Sequence, residues 1–345
     1  MAIIPFLILF SLLVFVHEGG HFLLSKLFGV KVTEFGFGYP PRIWGKRIKG
    51  TLYSINLIPF GGFARIKGTE GEYSGVGDAD SFAVQPMWKR VAITAGGVLG
   101  NFVLAWVLFV TLFVVGNPTP AGKVYVDEVK LNSPAELVGI VAGDHILSFE
   151  GEKVETADEL VTLAEKNAGK LTVMEVEHEG KTRLAAAVPR ANPPSGEGPL
   201  GFVVSTAVLY QKTAVWRAPF TAFAEAAKTV GEMVRFAFKL VGDLVQGKAV
   251  LLGGPVAIFA LTETYAAYGL KIFLQFIALL SVNLVVVNLF PIPALDGGRL
   301  LFVAVEIIRG KKTSVETEQF ANSLGFAFLI ILMILLTIHD IQTFF

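Results

Sequence analysis

Four long apolar runs dominate the hydrophobic pattern of the chain. The uncharged stretches are residues 1–16, 91–122, 272–295 and 319–338. The first run continues past the polar pair His17 and Glu18 as far as Ser25. Each run reaches the roughly 20 residues that a helix needs to cross about 30 Å of hydrocarbon. The pattern therefore predicts a polytopic α-helical membrane protein with about four transmembrane helices.

A fifth apolar run, residues 249–262, is not expected to span. It has 14 residues and is interrupted by Gly253-Gly254-Pro255. Because it is too short and too broken for a span, we expect an interfacial or re-entrant segment. The N-terminal run has no basic start and no small-residue cleavage site after it, so we expect a retained helix rather than a signal peptide.

The distribution of charges predicts the orientation. The loop 26–90 contains ten Lys or Arg against five acidic residues, and four more basic residues follow the third span. The positive-inside rule places these loops in the cytoplasm, and both termini and residues 117–271 outside. Over the whole chain, 29 Lys and Arg balance 29 Asp and Glu. The chain therefore lacks the excess of basic residues that would indicate a nucleic-acid partner. The lack of cysteine excludes disulfides and thiolate metal sites.

Residues 117–190 differ from the spans because charged residues are frequent and the apolar runs are short. Residues 156–167 have helical spacing, with Thr156 as the expected N-cap. A Pro- and Gly-containing linker follows at 193–196. The pattern predicts one compact α+β domain, with strand-like runs at 123–129, 145–149, 172–178 and 183–188.

This domain also carries a recognisable order of small and apolar residues. The order resembles that of bacterial PDZ domains, which bind extended peptides or C-termini by adding a strand to a sheet edge. The resemblance implies a peptide or C-terminus as a partner, and a spacer domain without a ligand is the alternative. The residues that carry it are Ser133-Pro134-Ala135, Gly139-Ile140, Gly143-Asp144, Ile146, Gly151 and Val154.

The chain is therefore expected to divide into four parts. Within the third part, residues 212–247 place apolar side chains at helical spacing with charges between them. We expect an amphipathic helix there, either on the membrane surface or packed on the domain. The parts are residues 1–116 with spans one and two, 117–190 with the external domain, 191–270 with a linker and amphipathic or interfacial helices, and 271–345 with spans three and four.

The chemical signal lies at the end of the first span. His17 and His21 are four residues apart, and Glu18 follows His17 directly. Positions i and i+4 share a helix face, so both imidazoles can reach one metal ion, with Glu18 beside them to take a proton from water. Neutral imidazole suits zinc, and a catalytic zinc site has three protein ligands and an open position. The alternative is a helix end whose polar side chains reach the membrane interface.

Asp296 is the candidate third ligand because it is the other acidic residue within a continuous apolar stretch. Spans one and three run in the same direction, so His17, His21 and Asp296 share one depth near the cytoplasmic face. Pro291 and Pro293 interrupt the helix before Asp296, and broken helices are tolerated in a bilayer only where they are buried or line a wet cavity. A helix cap before a Gly-Gly turn is the alternative interpretation of Asp296.

Two apolar runs in the first loop predict a β-hairpin. Residues 51–58 and 63–67 flank Pro59-Phe60-Gly61-Gly62. An exposed strand edge of such a hairpin can hold a peptide in an extended conformation by main-chain pairing. A cytoplasmic hairpin packed on the protein is the alternative.

Small residues in the second span predict close helix packing. Gly96 and Gly100 are four residues apart and share a helix face with Gly97 between them in the sequence. The lack of side chains on this face lets a neighbouring helix approach closely. A packing role for these glycines is favoured over a chemical one. Asn101 follows them and is expected to pair with a neighbouring polar group.

Taken in order, these motifs resemble the site-2 protease family of intramembrane zinc metalloproteases, of the bacterial regulator of sigma-E protease type that cleaves anti-sigma factors. The resemblance covers nearly the whole chain, with one PDZ-like domain where some relatives have two. It implies Zn²⁺ held by His17, His21 and Asp296, with Glu18 as the general base. The motifs that carry it are residues 17–21, Phe35-Gly36-Phe37-Gly38, the PDZ-like domain and residues 288–298.

The resemblance also implies a substrate-binding region. In the family the segment that matches the hairpin is a membrane re-entrant β-loop, here at about 51–67. Asn283 and Asn288 of the third span are implied as substrate or oxyanion contacts. Within the hairpin, the candidate substrate contacts are Tyr53, Ile55, Gly61 and Gly62.

The function implied is hydrolysis of a peptide bond within the transmembrane segment of a single-pass membrane protein, such as an anti-sigma factor, after a first external cut. The expected location is the bacterial inner membrane, with the lipid bilayer as a partner. The alternatives are a non-catalytic PDZ-bearing scaffold or chaperone and a metal transporter. Transport sites often lie at the bilayer midplane on inverted repeats, and this sequence has no internal repeat, so the protease is favoured.

Overall fold

The computed structural model describes residues 3–69, 79–194, 197–246, 253–311 and 313–344. Within these residues the helices are α1 (Ile3–Leu27), α2 (Met87–Thr94), α3 (Gly96–Val115), α4 (Pro134–Leu137), α5 (Ala157–Lys166), α6 (Ala218–Val245), α7 (Pro255–Ala267), α8 (Leu270–Leu289), α9 (Asp296–Arg309) and α10 (Val315–Phe344). The strands are β1 (Val32–Ile48), β2 (Thr51–Ile66), β3 (Asn117–Val129), β4 (His145–Phe149), β5 (Glu152–Lys153), β6 (Thr172–His178), β7 (Lys181–Ala187) and β8 (Phe202–Gln211).

The chain divides into two compact units. The first, which we call the helical unit, comprises Met1–Val115 and Thr213–Phe345. The second, which we call the inserted unit, comprises Gly116–Lys212. The candidate chemical residues all belong to the helical unit.

Four helices of the helical unit are long and apolar enough to cross a membrane: Ile3–Leu27, Gly96–Val115, Leu270–Leu289 and Glu316–Gln342. They correspond to the four apolar runs of the sequence. The second run is divided more finely than predicted, because its first residues belong to the separate helix α2 and its last residues begin β3. Part of the predicted segment 249–262 lies outside the described residues, and the rest belongs to the 13-residue helix α7.

The predicted close packing of the second span is present between α1 and α3. A Cβ on Gly20 would overlap the carbonyl oxygen of Gly96, and a Cβ on Gly100 would lie 2.6 Å from the carbonyl oxygen of Val16. The two backbones therefore approach as closely as glycine allows, which is how helices associate when their other surfaces are uniformly apolar.

Strands β1 and β2 form a long antiparallel hairpin that is folded back on itself. Its turn is at Lys49 and Gly50, both at positive φ as a two-residue hairpin turn requires. Beyond this turn, 42–48 pair with 51–56, and 32–37 pair with 62–66. Residues 34–37 also have 52–55 as neighbours, so the strand segments lie in the order 42–48, 51–56, 32–37, 62–66.

This pairing corrects the expected hairpin. The segments 51–58 and 63–67 do not pair with each other, because 32–37 lies between them. The crossover between them instead packs on α1, where Ser11 Oγ donates to the carbonyl of Pro59 at 3.0 Å and the Phe10 and Phe60 rings are 4.5 Å apart. The segment 62–66 is consequently an edge, with β1 on one side.

The inserted unit is an α+β domain with a sheet in the order β7-β6-β4-β3-β8, and β5 on β4. The predicted helix is α5, and Thr156 is its N-cap in a capping box with Glu159. The predicted boundary at residue 190 is too early, because β8 pairs with β3 along nearly its whole length. A strand that returns after a Pro- and Gly-containing linker gives no local signal that it belongs to the preceding sheet.

Candidate metal centre

Helix α1 presents His17 and His21 on one face, as their spacing predicts. Their Nε2 atoms are 3.3 Å apart, and the two rings meet edge to face. Asp296 is the first residue of α9, and its Oδ2 lies 3.3 Å from Nε2 of each histidine. Three side chains from two distant parts of the sequence thus converge at one point inside the helical unit.

The three atoms form a triangle that fits a tetrahedral metal ion. Ligand bonds of about 2.0–2.1 Å in a tetrahedral zinc site place neighbouring ligand atoms about 3.3–3.4 Å apart. The measured separations of His17, His21 and Asp296 have this value on all three edges. Within the described residues, the buried Oδ2 of Asp296 has no hydrogen-bond donor. A buried carboxylate oxygen without a donor is expected where the oxygen binds a cation. The residues present therefore fit Zn²⁺ held by two imidazoles and one carboxylate.

The loop before α9 places Asp296. Helix α8 ends at Leu289, and Pro291 and Pro293 prevent the helix from continuing. Ala294 then has φ +77°, a conformation that non-glycine residues rarely adopt, and its N–H donates to Asn322 of α10 at 3.1 Å. The strained backbone at Ala294 is held by this contact, and it sets Asp296 at the start of the next helix.

Two glycines after Asp296 are required by the same loop. A Cβ on Gly297 would overlap the carbonyl oxygen of Phe290, and a Cβ on Gly298 would overlap that of Ile292. The start of α9 therefore packs directly against the loop backbone. The two glycines therefore lie inside α9 and allow this close contact. They do not form the Gly-Gly turn that was the alternative interpretation of the sequence.

His21 is oriented by the main chain. Its Nδ1 lies 2.8 Å from the carbonyl oxygen of Ile93, at the end of α2. A carbonyl accepts only from a protonated nitrogen, so Nδ1 carries the proton and Nε2 keeps its lone pair for a metal. Gly97 provides the space for both rings, since a Cβ there would lie 2.5 Å from Cε1 of His17 and collide with Nε2 of His21. Gly97 thus serves the site as well as helix packing.

Glu18 lies beside the three ligands without joining them. Its Oε2 accepts a hydrogen bond from the N–H of Ala64 at 3.1 Å. Ala64 belongs to the edge segment 62–66, so the sheet touches the candidate base directly. The other carboxylate oxygen remains available for a proton from water.

These groups face a cavity of about 400 Å³, within the size range of small-ligand sites. Its lining comprises His17, Glu18 and His21 of α1; Tyr39, Pro40 and residues 63–66 of the sheet; Thr69; and Asn288, Ala294, Leu295, Asp296 and Arg299.

The structure separates the expected substrate contacts. Asn288 lines the cavity, whereas Asn283 lies on an exposed face of α8 and is absent from the lining. Tyr53 and Ile55 have segments of β1 on both sides, so their main chain cannot pair with an added peptide strand. Gly61 and Gly62 pack toward α1, where a Cβ on Gly61 would lie 2.9 Å from Val14.

Several residues of the cavity were not singled out from the sequence. Arg65 and Arg299 add two cations to a lining that already contains Glu18 and Asp296. Arg299 follows Asp296 by three residues, which places both on one helix face, and that spacing could have identified it. The Ala64 N–H and the Ile93 carbonyl are backbone groups, which leave no trace in residue type.

Comparison with known proteins extends these observations. Residues 5–332 match the family described as Peptidase family M50. The chain is 30% identical to the regulator of sigma-W protease RasP of Bacillus subtilis, over 99% of each chain. It is 28% identical to the zinc metalloprotease RasP of Geobacillus kaustophilus, over 100% of this chain and 98% of that one. A candidate zinc metalloprotease of Agrobacterium fabrum is 32% identical, over 99% and 96%.

Among solved structures, a match covers 25% of this chain. It is the PDZ domain of the SdrC-like protein from Listeria monocytogenes, with 24% identity, 90% of that chain covered and a TM-score of 0.23. The four apolar helices together with the full-length relatives indicate a multi-pass membrane protein. The match to the family model covers nearly the whole sequence and includes every residue of the candidate centre. The chain belongs to peptidase family M50.

Proposed function

We propose that the chain is an intramembrane zinc metalloprotease that hydrolyses a peptide bond within the transmembrane segment of single-pass membrane proteins. The observation that carries the proposal is the triangle of His17, His21 and Asp296, 3.3 Å on each edge, with Glu18 in the same cavity. Two of the three ligands belong to a helix apolar enough to span a membrane. The family and the names of the relatives agree with peptidase chemistry.

The ligand residues have one task and Glu18 another. His17, His21 and Asp296 would hold Zn²⁺, which supplies a Lewis acid for the scissile carbonyl and lowers the pKa of water. Glu18 takes the proton from the attacking water and later donates it to the leaving amine nitrogen. The hydrogen bond from Ala64 fixes one carboxylate oxygen of Glu18, so the other is directed for this transfer.

The substrate strand pairs with the edge segment 62–66. This segment has β1 on one side and lines the cavity with residues 63–66. Main-chain hydrogen bonds to an edge hold a peptide extended whatever its side chains are, which suits a protease that must unwind a helix before cutting it. The inner segment with Tyr53 and Ile55 supports the sheet instead, and Asn288 contacts the bound peptide.

The biological setting follows from the relatives and from the charge pattern. RasP of Bacillus subtilis is named a regulator of sigma-W protease, so we assign this chain to regulated intramembrane proteolysis, with an anti-sigma factor as the substrate type after a first external cut. We further propose that the site lies toward the cytoplasmic side of a bacterial inner membrane, with both termini and the inserted unit outside, because basic loops favour the cytoplasm.

The inserted unit acts as a PDZ-like filter for substrates. It either excludes proteins with bulky external domains or binds the C-terminus left by the first cut. The residues that flank the inserted unit lie close together, because the N–H of Thr213 donates to the carbonyl of Phe113 at 2.7 Å. Deletion of Gly116–Lys212 is expected to permit cleavage of uncut substrate. An unchanged size preference would contradict the filter.

A cleavage assay on single-pass membrane substrates tests the proposed function. We expect cleavage by the wild type, loss of cleavage with a chelator and recovery with Zn²⁺. Glu18→Gln is expected to retain zinc and lose cleavage, because it removes the base and leaves the ligands. Equal cleavage by this variant and the wild type would contradict the mechanism, and a scaffold or a transporter predicts no cleavage by either.

A further inference from the structure

Asn101 of α3 lies behind the first metal ligand. Its side chain is fully buried, and its amide group is 3.4 Å from Nδ1 of His17, the ring nitrogen that faces away from Asp296. The main-chain carbonyl oxygen of Asn101 accepts a hydrogen bond from Ser281 Oγ of α8 at 2.8 Å. This contact joins α8 to the backbone of α3 and does not involve the carboxamide of Asn101, which faces α1.

Hydrogen-bond chemistry decides which end of the amide faces His17. With the NH₂ group toward Nδ1, the imidazole would need its lone pair there and its proton on Nε2, where a metal ligand must be bare. In that arrangement the buried Oδ1 of Asn101 also has no partner within the described residues. Rotation of the amide by half a turn places Oδ1 at Nδ1, since the two ends of a carboxamide have nearly the same shape. Oδ1 then accepts a hydrogen bond from Nδ1–H, and Nε2 keeps its lone pair.

We propose that Asn101 is a positioning residue that directs Nε2 of His17 toward the metal by accepting the Nδ1–H hydrogen bond. His21 has the corresponding contact from the carbonyl of Ile93. Each imidazole is therefore held by one oxygen, from a side chain for His17 and from the backbone for His21. Such partners fix the tautomer and the ring orientation of a metal-bound histidine.

The inference rests on the proposed function in one respect, that His17 binds the metal. Its test measures metal binding rather than cleavage. The full chain is purified in detergent, stripped with a chelator and titrated with Zn²⁺ against a competing indicator. Asn101→Leu keeps the volume and removes the acceptor, so we expect an affinity about 10- to 100-fold lower. Asn101→Asp keeps an acceptor and is expected to bind at least as tightly as the wild type.

Two controls separate orientation of His17 from mere packing. Ser281→Ala removes the neighbouring contact to the Asn101 backbone and is expected to leave zinc affinity within about twofold of the wild type. The absorption bands of bound Co²⁺ report the ligand geometry, and we expect them to change in Asn101→Leu but not in Asn101→Asp. Thermal unfolding of the stripped protein shows whether each variant is folded.

The outcomes are decisive in both directions. Weaker metal binding by Asn101→Leu with rescue by Asn101→Asp supports the inference. Equal affinity of Asn101→Leu and wild type overturns it, and so does an equal loss in the Leu and Asp variants, because shape rather than the acceptor would then matter. If the wild type itself bound no metal, the proposed function would fail, which is a different result.

Discussion

The two units of the chain differ in how far they expose large apolar side chains. In the inserted unit, residues such as Ile146, Phe149 and Val176 are completely buried in one core. In the helical unit, large apolar side chains of α10 are exposed, with Phe328 at 53% and Ile331 at 58%. The completely buried residues of the helical unit include polar ones, such as Asn101 and Ser281.

The difference reflects two solvents. The inserted unit is folded by removal of apolar surface from water. For helices surrounded by lipid tails, apolar contact gives no such driving force, and association depends on close packing at small residues and on polar contacts between helices. Mutations of equal chemistry should therefore have unequal effects in the two.

The largest effect is expected at the metal ligands of the helical unit. Asp296→Asn replaces the anionic ligand by a neutral amide of the same shape, and we expect zinc binding and cleavage to be lost together. Elemental analysis of the purified protein measures the first, and a substrate cleavage assay the second. His21→Ala should behave alike. A full zinc content in Asp296→Asn would require a different third ligand.

The next largest effect is expected at the buried ion pair between α2 and α9. Arg90 Nη1 and Glu306 Oε2 are 2.6 Å apart, and both side chains are less than 10% exposed. Arg90→Met leaves Glu306 buried without its partner, which is expected to destabilise the helical unit by about 3–5 kcal/mol. The unfolding midpoint in detergent measures the loss.

An exposed pair in the inserted unit is the matched control for this substitution. Lys153 Nζ and Glu155 Oε1 are 2.7 Å apart. The contact lowers the pKa of Glu155, mainly through the hydrogen bond and to a smaller extent through the positive charge of Lys153. Because water screens this pair, Lys153→Met is expected to leave the unfolding midpoint unchanged. A comparable loss from both substitutions would contradict the contrast between the units.

A smaller effect is expected where α1 meets α3, and two adjacent glycines allow a sharp test. Gly20→Ala forces a methyl group onto the carbonyl of Gly96, whereas a Cβ on Gly19 meets no heavy atom of the described residues within 4 Å. We expect Gly20→Ala to destabilise by about 1–3 kcal/mol and Gly19→Ala to be neutral or slightly stabilising. Denaturation of both variants in the same detergent provides the measurement. Equal midpoints would show that the helices have room to move apart.

The smallest effect is expected at the N-cap of α5 in the inserted unit. Thr156 Oγ1 accepts from the N–H of Glu159, and the Glu159 side chain accepts from the N–H of Thr156. Thr156→Ala removes one of these contacts and is expected to cost about 1 kcal/mol. Limited proteolysis should detect the change within the inserted unit, and zinc content should stay at the wild-type value. Loss of zinc in this variant would mean that the two units do not respond independently.

The sequence predicts much of the fold because its strongest signals are local. Apolar run length locates the spans, helical spacing pairs His17 with His21, and short strand-like runs identify four strands of the inserted unit. The spacing of prolines and glycines around Asp296 also predicts a broken helix. These features depend on neighbours along the chain, so they can be recognised without a structure.

The missed features depend on contacts between distant residues. The folding of β1 and β2 onto each other follows from partners up to about thirty residues apart, and no alternation pattern distinguishes it from a simple hairpin. Strand β8 joins a sheet that began some eighty residues earlier. The supports at Ile93 and Ala64 are main-chain atoms, which any residue type provides, apart from proline at position 64.

The contact between His21 and the carbonyl of Ile93 has an evolutionary consequence. No single codon change can delete a main-chain oxygen. The hydrogen bond that orients His21 is therefore insensitive to substitution at position 93 as long as the backbone of α2 stays in place. The hydrogen bond that orients His17 can be lost by a single substitution if the carboxamide of Asn101 provides it. Lineages that tune how firmly they retain the cation would then vary position 101 and leave position 93 free to drift among apolar residues.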